Sequence, residues 1–241
     1  MGDALLRVDS VVKRFGGFQA LGGVSLEVHA GERFGLIGPN GSGKTTLINC
    51  ISGTLRNEAG HIFFRGREVT GLPPHRRTRL GIARTFQIPR PFGTMTVLEN
   101  LRVTLEYGAL DRARGGEPAV EAREILELVR LESKAAMIAS RLTQIELRKL
   151  ELARAMAAKP SLLISDEAMA GLTSSEVDDL LEILFRLNAT GTTVIMIEHI
   201  MRAVMRFSER IAVLDAGEKI AEGPPDSVIS DPAVERAYLG D

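Results

Sequence analysis

Gly38-Pro39-Asn40-Gly41-Ser42-Gly43-Lys44-Thr45-Thr46 lies between two apolar runs, Phe34 to Ile37 before it and Leu47 to Ile51 after it. That is the place where a buried strand turns into a helix. Glycines let the backbone wrap closely around a di- or triphosphate, and inward-pointing N–H groups with a helix N-terminus behind them favour negative charge. Lys44 adds a cation and Thr45 a hydroxyl suited to magnesium. A glycine-rich turn with a chance lysine matches too few of these fixed positions to account for the stretch.

Upstream and just downstream the pattern is short β-type runs, Leu5 to Val8, Val24 to Val28, Arg33 to Ile37 and His61 to Phe64, punctuated by Gly16-Gly17, Gly22-Gly23 and Gly31. They predict an antiparallel patch beside the phosphate loop. From Val97 the period becomes helical, with Val97-Leu98-Leu101-Leu105, Ile125-Leu126-Val129 and Leu147-Leu150-Ala153-Ala157. A helical insertion between about 90 and 155 follows, with Gly115-Gly116-Glu117-Pro118 as a loop inside it. The last third alternates buried strands (Leu162 to Ser165, Thr193 to Ile197, Ile211 to Leu214) with helices, one over Ser174 to Asn188 and one after Glu198. That order predicts parallel strands in a doubly wound sheet. Asp215-Ala216-Gly217-Glu218 reads as a tight hairpin turn, and Asp231-Pro232 opens a short terminal helix.

At 241 residues and 44% hydrophobic content, the chain buries one substantial core with an insertion. A net charge of -1, with basic residues scattered apart from Arg76, Arg77 and Arg79, gives no electrostatic footprint for nucleic acid, which is not expected as a partner. The single cysteine, Cys50, sits among apolar residues and reads as a small buried hydrophobe. Met1-Gly2-Asp3-Ala4 lacks a basic start, and Leu6 stands where a myristoylation site wants Ser or Thr, so neither a signal nor a lipid anchor is expected. No apolar run reaches the roughly 18 residues of a membrane span. The expected location is the cytosol or the surface of a membrane protein.

Leu162-Leu163-Ile164-Ser165-Asp166-Glu167 is a buried strand ending in two carboxylates, at the end where parallel strands present their reactive groups. Asp166 suits a magnesium ligand and Glu167 a group that polarises water, the minimum equipment for phosphoryl transfer to water. A solvated Asp-Glu at a strand end would be unremarkable alone; joined to the phosphate loop it is not.

With these motifs in place, the whole chain resembles the nucleotide-binding subunits of ABC transporters. The resemblance implies an α/β P-loop NTPase fold of the ABC-ATPase type, a mixed or parallel sheet core with an antiparallel β patch and a helical subdomain. Residues 1–89 and 156–241 would form the nucleotide-binding core and 90–155 the helical subdomain. It implies that Gly38, Pro39, Asn40, Gly41, Ser42, Gly43, Lys44, Thr45 and Thr46 hold the phosphates of ATP, and that Thr45, Asp166 and Gln87 reach Mg2+. Phe15 falls where the family stacks an aromatic on adenine, although a core Phe reads the same from sequence. It implies that Glu167, Gln87, Lys44 and His199 form the catalytic set, His199 matching the family's switch histidine. Ala170-Gly171-Leu172 resembles the loop through which two subunits communicate.

The family's signature, usually Leu-Ser-x-Gly-Gln, maps onto Leu142-Thr143-Gln144-Ile145-Glu146 and differs at three positions. Thr143 keeps a hydroxyl for the nucleotide held by the partner subunit. Ile145 replaces a glycine and is expected to crowd that nucleotide or push the backbone away, and Glu146 adds a negative charge beside a triphosphate unless it turns outward. The helix expected after a signature is retained, so the register holds. Ala168 and Ile200 are milder departures. The asymmetry suits a heterodimer in which a different ATPase subunit supplies a normal signature to this chain's own site; a regulatory subunit that hardly hydrolyses ATP is the alternative.

Ala83-Arg84-Thr85-Phe86-Gln87, Met95 to Leu101, Ile197-Glu198-His199, Ala221-Glu222-Gly223 and Ala237-Tyr238-Leu239-Gly240 look like the branched-chain amino-acid importer subfamily. Importers of urea, amides and small organic acids and a lipopolysaccharide exporter share much of the pattern. The resemblance implies permease subunits and, indirectly, a substrate-binding protein as partners, with the chain peripheral on the cytoplasmic side of the membrane. Ile88-Pro89-Arg90-Pro91-Phe92 is expected to be the edge of a groove for a permease helix, a subdomain hinge, or both.

Overall fold

The structure is a computed structural model that describes residues 4–86, 88–108 and 118–239. The chain opens with a hairpin of β1 (Ala4–Phe15) and β2 (Phe18–His29), then runs through β3 (Arg33–Ile37), α1 (Lys44–Ser52), β4 (Ala59–Phe64), β5 (Arg67–Glu68), α2 (Pro74–Leu80) and β6 (Ile82–Arg84). Three helices follow, α3 (Val97–Gly108), α4 (Pro118–Leu128) and α5 (Gln144–Ala157). The remainder is β7 (Leu162–Asp166), α6 (Ser174–Ala189), β8 (Thr193–Ile197), α7 (Met201–Phe207), β9 (Arg210–Asp215), β10 (Glu218–Gly223), α8 (Pro225–Ile229) and α9 (Pro232–Leu239).

Two sheets result. The antiparallel one has the order β2-β1-β4-β5, and the larger one β10-β9-β3-β8-β7-β6, parallel throughout except for β10 at its edge. Residues 115–117 of the expected loop lie outside the described residues, and Pro118 already begins α4.

The parallel strands are buried on both faces, and their side chains sort by the period of two. Ile37, Leu163, Val194, Met196, Ile211 and Val213 pack with the helices α3 to α7 on one side. Phe34, Leu36, Ile164, Ile195, Ala212 and Leu214 pack on the other, with Leu47, Ile48 and Ile51 of α1 and the inner face of the antiparallel sheet. In β1 the alternation survives a bulge: Ser10 adopts a left-handed conformation (φ 49°), the register shifts between Val8 and Val11, and Val11 returns to the buried face.

Only Arg76 and Arg79 of the basic cluster face outward. Arg77 is buried and donates to the carbonyls of Cys50 and Ile51 at the end of α1, and to Thr70 and Leu72. A cation at a helix C-terminus satisfies orphan carbonyls and complements the dipole. Burial lowers the guanidinium's pKa. Cys50 is buried as expected, and desolvation pushes its thiol up to about 11.

The consequence for the site is topological. The C-terminal ends of β3, β7 and β8, adjacent in the sheet, deliver residues 38–46, 166–167 and 198–199 to one edge. Among the described residues no helix is long and apolar enough to cross a membrane.

Candidate nucleotide site

The loop from 38 to 43 has a shape that side chains at its glycines would not allow. Gly38 sits at φ +148°, where a Cβ would lie 2.0 Å from the carbonyl oxygen of Leu214. Gly43 ends the loop as the residue capping α1, at φ +102°, with a Cβ position 2.7 Å from the carbonyl of Ala20. Neighbouring strands clamp the loop: Gly217 N–H donates to Ser42 O at 3.0 Å, and Gly22 N–H donates to Gly217 O at 2.8 Å. The turn at 216–217, both residues at positive φ, therefore braces the phosphate loop as well as closing the β9–β10 hairpin.

Lys44 is buried and its ammonium donates to the carbonyls of Gly38 (2.7 Å) and Pro39 (2.9 Å). Burial lowers its pKa, and the carboxylates of Glu167 and Asp166 oppose that shift. The lysine is thus a cation aimed along the loop by the loop's own backbone. A cavity of about 260 Å³ opens here, lined by Phe15, Phe18, Ala20, Asn40 to Thr46, Glu167 and His199.

Phe15 and Phe18 are 51% and 64% exposed, so neither belongs to the core, and the reading of Phe15 as a core residue is removed. The Lys13 ammonium lies 5.3 Å from the Phe15 ring centroid. Phe18 is a member the sequence reading missed. Its signal was the two-residue Gly16-Gly17 connection, which pairs Phe15 with Phe18 across the hairpin.

At the opposite wall Nε2 of His199 and Oε1 of Glu167 are 2.9 Å apart. With a carboxylate as acceptor, the imidazole proton resides on Nε2. Glu167 is held in a left-handed backbone conformation (φ 46°), with its N–H donating to Ile197 O at 2.9 Å, so the two strand ends fix each other. Asp166, at the end of β7, is buried and accepts from Arg84 Nη2 at 2.6 Å. Arg84 also donates to Asn49 Oδ1 of α1 at 2.6 Å, tying the carboxylate to the helix behind the phosphate loop. The sequence reading missed Arg84's role; its cue was a charge at the end of the strand that pairs with β7. Gln87 lies outside the described residues.

Thr143 does not line this cavity. It stands at the start of α5, exposed, where Glu146 Oε2 accepts its backbone N–H at 2.9 Å. Glu146 also pairs with Lys134. Partial burial raises the Glu146 pKa, but the Lys134 ammonium and the Thr143 groups outweigh it and hold the carboxyl below its usual range. Ile145 is partly buried and packs against the helical core. The isoleucine is turned inward by hydrophobic burial, and the glutamate is turned back onto its own helix.

Residues 21–170 match the ABC transporter family, and residues 218–241 match the branched-chain amino acid ATP-binding cassette transporter family. The chain is 40% identical, over the full length of both proteins, to the high-affinity branched-chain amino acid transport ATP-binding protein LivG of Salmonella typhimurium. It is 39% identical, again over both full lengths, to BraF of Pseudomonas aeruginosa, which carries the same description. Among solved structures, the ADP conformation of an ATP-binding cassette of an ABC transporter aligns with a TM-score of 0.89 at 34% identity, covering 100% of each chain. A dimeric cassette in a post-hydrolysis state, bound to ADP and Pi, aligns with a TM-score of 0.81 at 27% identity over 91% of this chain and 98% of that one. The phosphate loop, the paired carboxylates and His199 therefore sit in a protein of known kind: this chain belongs to the ABC transporter family, as an ATP-binding ATPase subunit of the branched-chain amino-acid type.

Proposed function

We propose that this chain binds and hydrolyses ATP to drive an importer of branched-chain amino acids or related small solutes, and that its own Lys44–Glu167–His199 site does the chemistry. The observation that carries the reading is the Glu167–His199 pair at 2.9 Å on the wall of the cavity that the phosphate loop floors. Loop N–H groups and Lys44 would hold the phosphates, and Phe15 with Phe18 would take the base. Glu167 accepts the proton of the attacking water, while His199 orients that carboxylate and stands beside the terminal phosphate. This pairing favours turnover over a purely regulatory role.

The donor set fits Mg2+: the Thr45 hydroxyl and the Asp166 carboxylate are hard oxygen ligands, with Gln87 as the third candidate from the sequence. Bound Mg2+ supplies charge neutralisation to phosphate oxygens. Arg84 holds Asp166 in place beside the loop.

Residues 90–155 form the helical subdomain in this proposal, joined to the core through α5. Glu151 is buried and accepts from Arg154 at 3.3 Å, and Arg154 also donates to Arg90 O at 2.7 Å. These bonds hold the segment bearing exposed Phe86, Ile88 and Phe92, the proposed seat of a permease helix. The second ATPase subunit is a different chain that supplies an unaltered signature to the ATP bound here. A substrate-binding protein contributes indirectly, and the chain lies on the cytoplasmic face of the membrane.

ATP hydrolysis by the purified chain, alone and with co-purified partners, beside Glu167→Gln, tests this. Turnover that appears with partners and falls by about 10²- to 10⁴-fold in the variant is expected. ATP binding without Glu167-dependent turnover in either preparation would replace it with the regulatory reading.

A further inference from the structure

We infer that Glu198 is a positioning residue, whose buried carboxylate ties the backbone of the loop 167–172 to the strand end carrying His199 and thereby sets the Glu167–His199 pair for reaction. The inference rests on the ATPase reading given above. Glu198 is 3% exposed, and its Oε1 accepts the N–H of Met169 at 2.8 Å. Glu198 directly precedes His199 in the chain, just beyond the end of β8. One side chain thus links the loop that carries Glu167 to the segment that carries His199.

A carboxyl in this place is costly for the fold alone. Met169 beside it is fully buried, and Ala168 nearly so. An apolar residue of similar size would avoid the desolvation penalty, so an acid here is best accounted for by the Met169 N–H it holds. Burial pushes its pKa up to about 7, the Glu167 charge adds to that, and the Met169 N–H and Arg148 oppose it.

The same loop is gripped from its other side. Ala170 O accepts from Gln144 Nε2 and from Arg148 Nη2, each at 3.4 Å, so α5 holds the carbonyl edge of the loop while Glu198 holds an N–H. Between the two grips the loop is closed on itself by Ala170 N–H to Glu167 O (3.3 Å) and Leu172 N–H to Met169 O (3.2 Å). The start of α5 is thereby connected to Glu167 through Ala170, whose O accepts from α5 and whose N–H donates to Glu167 O.

The experiment uses the chain assembled with its partner subunits, with Glu198→Ala and Glu198→Gln. It reads kcat, ATP affinity by a fluorescent nucleotide, and amide hydrogen exchange over 167–172. Glu198→Ala should lower kcat about tenfold or more with ATP affinity within about twofold, and accelerate exchange in the loop. Glu198→Gln, whose amide oxygen still accepts from Met169, should recover most of both. Unchanged kcat and exchange in Glu198→Ala overturn the inference, as does a Glu198→Gln as impaired as the alanine variant. Should the parent complex show no Glu167-dependent turnover, the ATPase reading fails while the exchange arm still reports on the tie.

Discussion

Two regions of this chain share one local arrangement, a loop feeding a helix N-terminus, and differ in what satisfies its donors. At residues 38–46 every device is present: positive-φ glycines, a buried lysine and strands that clamp the loop. At the start of α5 the glycine position is filled by Ile145, which packs inward, and the Thr143 N–H that a phosphate would seek is already taken by Glu146. A helix N-terminus attracts anions only while its donors are free, and a carboxylate from its own first turn competes with any ligand. At the start of α5 the donor is taken by the helix's own glutamate, whereas the N-terminus of α1 has no side-chain cap.

Substitutions sharpen the contrast. The largest effect is expected at Lys44→Ala, which should weaken ATP binding by about a hundredfold, near 3 kcal/mol, whereas Thr143→Ala should leave this chain's own affinity unchanged. Titration of the purified chain with a fluorescent nucleotide measures both. Next is Gly43→Ala, which places a Cβ at φ +102° and 2.7 Å from Ala20 O. Strain of roughly 2 kcal/mol, or about 5 °C in Tm, should appear in a thermal melt together with weakened nucleotide binding.

A smaller gain is expected from the double change Ile145→Gly with Glu146→Gln, which frees the start of α5 and should raise turnover of the assembled complex by about two- to fivefold. No change in rate would mean that this signature already works. The smallest effect concerns pH. Because the folded-state pKa of Glu198 is raised to about 7 from 4.5, the folded chain binds the extra proton more tightly than the unfolded one. Stability from that group is full below the unfolded value and is lost as pH rises through 7. Glu198→Gln should therefore gain Tm relative to the parent chain between pH 5.5 and pH 8, by a few degrees at most.

Much of this was legible in the chain. Strand β8 runs over Thr193–Ile197 as its uninterrupted apolar run indicated, and α6 extends one residue beyond the expected end. Such segments are decided by local periodicity. The phosphate loop was legible because its spacing is fixed by backbone geometry. What the sequence hid were side-chain directions set by packing: Ile145 turning into the core, Arg77 leaving the surface for the end of α1, and Glu198 reaching Met169. Arg84 on Asp166 depends on β6 lying beside β7, a pairing of strands separated by the three helices α3 to α5.

The most direct test compares two substitutions in the assembled complex: Glu167→Gln in this chain, and the equivalent change of the corresponding carboxylate in the partner subunit. If the site built on Lys44, Glu167 and His199 is the working one, the first abolishes ATP turnover and the second leaves at least about half of it. Equal loss from either change would show two equivalent sites and contradict the divergence of the two regions.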